Sequence, residues 1–132
     1  MRAHETPTAI VKAYDLLKWM LPHVAKFPRE HRFTLGDRVE TQGLMILELL
    51  VDAAYRREKV AQLEEANRRL ETLRYLLRLG KDLQCLSLKS YEHAMRLMEA
   101  LGREVGGWLR SQRAQPPRKG ASEDETSRQS MG

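Results

Sequence analysis

The chain has 132 residues, 42% of them hydrophobic and 31% charged, and no apolar run approaches the length that crosses a membrane. Its 23 Lys and Arg outnumber its 18 Asp and Glu, and the formal charge of +5 favours polyanionic partners, whether phosphate backbones or acidic proteins. A single cysteine, Cys85, excludes an internal disulfide, and four scattered histidines add no ligand set for structural zinc, so a reducing, cytoplasmic setting is expected. The opening residues MRAHETPTAI carry none of the parts of an export signal, and Met1 reads as a natural start.

Residues 1–111 are rich in Leu, Ala, Glu and Arg and nowhere sustain strand alternation, which predicts one all-α domain. Thr6 as N-cap and Pro7 at the first helical position predict a first helix reaching about Phe27. Its expected core stripe is Ile10, Tyr14, Leu17, Leu21 and Val24, with Pro22 either kinking the helix or restarting it. Pro28 closes this element, and Thr34 with Asp37 resembles a capping box opening helix two on the stripe Leu35, Val39, Ile46, Leu50, Ala53.

No glycine or proline falls between Gly43 and Gly80, yet one helix across that span would exceed roughly 50 Å, too long for a domain this small. The turn is therefore placed in the charge cluster Arg56, Arg57, Glu58, Lys59. Helix three follows on Leu63, Ala66, Leu70, Leu73 and Leu77 to about Leu83. Ser87 is the expected N-cap of helix four, with Leu86 and Tyr91 as a hydrophobic staple and the stripe Tyr91, Met95, Met98, Leu101, Val105, Trp108. Four such helices with short connections predict an up-down-up-down antiparallel four-helix bundle. Residues 112–132 are polar and contain two adjacent prolines, which predicts a disordered, solubilising tail.

Helix two has a second apolar face. The segment LMILELLVDAA is apolar around most of its circumference, so Leu44, Ile46, Leu47, Leu50, Val51 and Ala54 are the expected self-association surface, unless the helix is wrapped by its own neighbours. Gly102, Gly106 and Gly107 in helix four imply either a close backbone approach or a frayed end.

Catalysis finds little support, and neither a metal nor a cofactor is expected. His4, His23, His31 and His93 are not spaced as ligand pairs, no serine sits in a nucleophile elbow, and the aspartates never stand side by side as a two-metal polymerase site needs. GREVGG lies in a helical pattern with no preceding strand and is no phosphate loop. Cys85, among apolar residues without an adjacent base, reads as a core filler.

The basic residues, in contrast, are ordered. Lys89, Arg96, Arg103 and Arg110 recur every seven residues, a step that drifts only about 20° on a straight helix, so they line one ridge. Arg74, Arg78 and Lys81 form a second ridge on helix three, extended toward its start by Arg68 and Arg69. These ridges serve either phosphate tracking or ordinary i,i+4 surface pairs such as Glu92 to Arg96 and Glu99 to Arg103. Trp19, Tyr75 and Trp108 read as core or interface residues rather than base-stacking platforms, so any nucleic-acid binding should be electrostatic and weakly sequence-specific.

The segments FPREHRFTLGDRVE (27–40), LETLRYLLRLGKDLQCLSLKSYEHA (70–94) and LGREVGGWLR (101–110) resemble the accessory variability determinant, Avd, of diversity-generating retroelements. The resemblance spans about residues 8 to 111 and extends more distantly to four-helix proteins of intervening sequences in bacterial large-subunit ribosomal RNA genes. The Avd resemblance implies a four-helix bundle assembling into a barrel-like homopentamer. It further implies a non-catalytic partner of the retroelement's reverse transcriptase and of its template RNA and cDNA, supporting mutagenic retrohoming. Arg74, Arg78 and Lys81 are the binding residues that it favours, followed by Arg96, Arg103 and Arg110. The more distant resemblance implies instead a structural oligomer with only non-specific nucleic-acid binding.

Overall fold

Four long helices, α1 (Thr8–Val24), α2 (Asp37–Tyr55), α3 (Val60–Asp82) and α4 (Leu88–Ala114), make up most of residues 5–116, which a computed structural model describes. Strands are absent among the described residues. α1 starts one residue later than expected, with Pro7 flanking it and no side-chain cap from Thr6. The Pro7 carbonyl accepts from the amides of Ile10 at 3.0 Å and Val11 at 3.4 Å. Pro22 lies inside the last turn, and the helix ends two residues on at Val24 rather than at Phe27.

The buried face of α1 is Ala9, Ala13, Leu16, Leu17, Met20 and Val24. Tyr14, expected in the core, is 58% exposed, and Ile10 and Leu21 sit half-buried at its edge. Two adjacent apolar stripes run along this helix, and the one with the smaller residues faces inward because alanines let α1 lie close to its neighbours.

The capping box expected at Thr34 does not form. Pro28 already opens a single α turn, Arg29–His31, which passes through a π-helical turn, Arg32–Gly36, straight into α2. At Thr34 the chain is helical and has no helix start to cap; its hydroxyl donates instead to the His31 carbonyl at 3.3 Å. The wider turn shifts the register, bringing Leu35 and Gly36 inward together and leaving Phe33 67% exposed.

From there the apolar periodicity holds. Leu35, Val39, Ile46, Leu50 and Ala53 are all buried, as are Leu63, Ala66, Leu70, Leu73 and Leu77 of α3. The α2–α3 turn falls at residues 56–59, where Lys59 Nζ donates to the carbonyls of Ala53, Ala54 and Arg56 at 2.7, 3.3 and 2.6 Å and closes the α2 C-terminus.

α3 ends in a Schellman turn: the Gln84 amide donates to Lys81 O at 3.0 Å and the Cys85 amide to Gly80 O at 2.7 Å. Gln84 takes the left-handed conformation there, with φ 64. Ser87 then caps α4, its Oγ accepting from the Ser90 amide at 3.0 Å. Along α4 the buried positions are Ala94, Met98, Leu101, Val105 and Leu109, with Tyr91, Met95 and Trp108 half-buried beside them.

Each helix packs on its neighbours in sequence, and α4 closes back on α1, the pattern of an antiparallel four-helix bundle. α4 continues to Ala114, past the tail boundary expected at Ser111, and Arg113 Nη2 reaches Glu64 Oε2 on α3 at 2.6 Å. The rest of the expected tail, 117–132, and His4 at the other end lie outside the described residues.

Candidate nucleic-acid and partner interfaces

The two basic ridges lie on neighbouring helices. α3 and α4 are antiparallel, so the second half of α3, with Arg74, Arg78 and Lys81, lies beside the first half of α4, with Lys89 and Arg96. Lys81 Nζ marks the join, 4.9 Å from the ring centre of Tyr91 on α4. Arg103 and Arg110 continue the α4 ridge toward the opposite end of the bundle.

Ion pairing divides these cations. Arg68 Nη2 bonds Glu65 Oε2 at 2.7 Å, Arg74 pairs with Glu71, and Arg103 Nη1 lies 3.4 Å from Glu99 Oε1. Lys81 lies 3.5 Å from Asp82. Arg69 is half-buried, bonding Gln42 Oε1 on α2 at 3.3 Å; its Nε is 3.2 Å from Glu65 Oε1 without the alignment of a hydrogen bond. The Arg68 hydrogen bond, with the charges of Arg68 and Arg69, lowers the Glu65 carboxyl below its ordinary value despite some opposing desolvation. By contrast Arg78, Lys89, Arg96 and Arg110 are exposed and have no acidic group within ion-pair distance among the described residues.

The chain matches the family model described as bAvd-like over residues 9–112. It belongs to the bAvd-like family. At that level it is an accessory protein of a diversity-generating retroelement. No curated protein matches it.

In this bAvd-like chain the expected self-association surface is redrawn. Ile46, Leu50 and Ala54 are buried in the protomer's own core, because α2 turns that stripe toward α1 and α3, and cannot meet a partner. Leu44, Leu47 and Val51 remain at the surface, at least partly exposed. Sequence reasoning placed Tyr14 in the core and did not single out Val11; both are exposed on the adjoining helix α1. The signal was present in α1 as the larger of its two apolar stripes.

The close approach expected at Gly102, Gly106 and Gly107 is also absent within the protomer. A methyl on Gly102 would meet nothing within 4 Å, and on Gly106 and Gly107 only the Arg110 guanidinium, while the helix runs on unfrayed to Ala114. Tyr75, expected in a core or interface, is 66% exposed. Trp19 is half-buried between α1 and α4, stacked on His23 at 4.0 Å between ring centres and tilted against His93 at 5.1 Å. Cys85 is half-buried against the core, and burial, with a smaller contribution from Glu30, pushes its thiol above the ordinary value, opposite to what a nucleophile needs. Among the described residues no three His, Cys, Asp or Glu side chains gather as a metal site, and no helix is long and apolar enough to cross a membrane.

Proposed function

We propose that the protein is a homo-oligomeric, non-catalytic cytoplasmic adaptor that holds the retroelement's reverse transcriptase together with template RNA and its cDNA during mutagenic retrohoming. The observation that carries this reading is the set of cations without acidic partners, Arg78, Lys89, Arg96 and Arg110, on a member of this family. Their guanidinium and ammonium groups are solvated and available to displace counterions from a phosphate backbone. The apolar α1–α2 face, on a different side of the bundle, supports self-association, and the Avd resemblance implies five subunits.

A second reading, a structural oligomer of the intervening-sequence type, draws support from the pairing of Arg68, Arg74 and Arg103 with glutamates on their own helices. The two are separated by binding of unrelated RNA sequences to the wild type and to the double variant R78E/R96E across a salt series. The adaptor reading expects affinity for every sequence to fall about equally and the salt slope to flatten by about one unit per residue. Unchanged affinity would sink the RNA contact; in a pull-down from native cells, loss of the polymerase on nuclease treatment would sink the direct protein contact, and its absence without nuclease would sink the adaptor reading.

A further inference from the structure

An open cavity of about 800 Å³ lies at the end of the bundle where α1 begins and α2 ends. Its apolar lining comes from Pro7, Ala9, Ala54, Tyr55 and Trp108, and among the described residues its rim carries Arg56, Arg57 and Lys59 against one acid, Glu104. The rim cations are not equivalent. Arg56 pairs with Asp52 at 2.9 Å, and Lys59 is engaged in closing α2, whereas Arg57 is exposed with no acidic partner among the described residues.

The cavity is joined to the α4 ridge. Gly107 is part of its lining, and Arg110, the last cation of the ridge, places Nη2 3.8 Å from where a Gly107 Cβ would stand. Gly106 and Gly107 leave room for the Arg110 guanidinium to fold back along α4 toward the cavity, where Glu104 lies one turn before Trp108. A strand tracking the ridge by its phosphates would meet, at its end, an aromatic recess with a free guanidinium at the mouth. An unpaired nucleotide offers a base π-face for such a recess and a phosphate for such a rim, and an apolar peptide offers no phosphate.

We infer that this cavity is a base-binding subsite for single-stranded nucleic acid, RNA or its DNA copy, with the base against Trp108 and Tyr55 and its phosphate at Arg57. This rests on the nucleic-acid reading above and adds to it a contact that depends on bases rather than on charge.

The test uses the full chain carrying W19F, which leaves Trp108 as the sole tryptophan of the two. It is titrated with a short single-stranded RNA, the same sequence as DNA, and an abasic sugar–phosphate oligomer of equal charge. The subsite requires quenching of Trp108 by a base-bearing strand and roughly tenfold tighter binding than the abasic one; the tighter of RNA and DNA identifies the strand it serves. Y55A, measured by anisotropy of a labelled strand with Trp19 intact, should weaken the base-bearing strand and leave the abasic one unchanged, whereas R57A should weaken both. Equal binding of all three strands, with Trp108 and Y55A indifferent, overturns the subsite while the ridge reading stands, and leaves the cavity to a protein segment. Absence of binding by any strand overturns both.

Discussion

Gly43 on α2 faces Met20 on α1 so closely that a methyl group on the glycine would stand 2.5 Å from Met20 Cε and 2.9 Å from Leu17 Cδ2. This is where α1 and α2 approach without a side chain between them, and it lies beside the apolar face that their outer edges share. G43V should destabilise the bundle by about 1 to 3 kcal/mol through overpacking, read as a lower urea midpoint. G102A should act the other way, because that site is open: a gain of about 0.4 to 1 kcal/mol from helix propensity and a stiffer unfolded chain.

The α3–α4 turn offers two opposed substitutions three residues apart. S87A removes the Oγ that accepts from the Ser90 amide and should cost about 1 kcal/mol. Q84G relieves an L-residue held at φ 64 and should stabilise by up to about 1 kcal/mol. Thermal unfolding of the two variants beside the wild type checks both signs, and a stabilised S87A or destabilised Q84G would contradict the turn geometry.

Glu65 sets a pH dependence. Its folded carboxyl is held below the ordinary value, chiefly by the Arg68 hydrogen bond, so the unfolded chain binds its proton at higher pH than the folded one does. Stability from this group is therefore present above the ordinary carboxylate value and lost as pH falls through the lowered folded value. E65Q should be less stable than the wild type at neutral and alkaline pH, with the difference closing as pH falls through the lowered folded value, and a parallel shift at every pH would refute the assignment.

Self-association should depend on the outer α1–α2 face. V51D, and separately Y14D, should reduce the oligomer seen by analytical ultracentrifugation while each protomer keeps its helical circular dichroism, because both side chains are exposed in the protomer. Oligomer size unaffected by both substitutions would remove this face from the assembly.

How far the sequence reached depended on the strength of each local signal. The stripes of α2 and α3 were legible because large aliphatic residues recur at helical spacing, from Leu35 to Ala53 and from Leu63 to Leu77. The 56–59 turn was legible because apolar residues lapse there, and the α4 start because Ser87 caps without competition. The basic ridges were visible as spacing, since helical period alone puts Lys89, Arg96, Arg103 and Arg110 in line.

Tertiary structure decided what spacing leaves open. Which of two stripes on α1 faces inward depends on how closely α2 and α4 approach, and that favoured Ala9 and Ala13 over Ile10 and Tyr14. Which glycine sits at a close approach depends on the opposing helix, so it is Gly43 against Met20 and not Gly102. Which arginines lack an acidic partner depends on rotamers and on neighbours across helices, as with Arg113 and Glu64. The cavity joining Pro7, Tyr55 and Trp108 draws on three helices far apart in the chain, and no local pattern could bring those residues together. Sequence period determined which residues share a face; packing determined what each face meets.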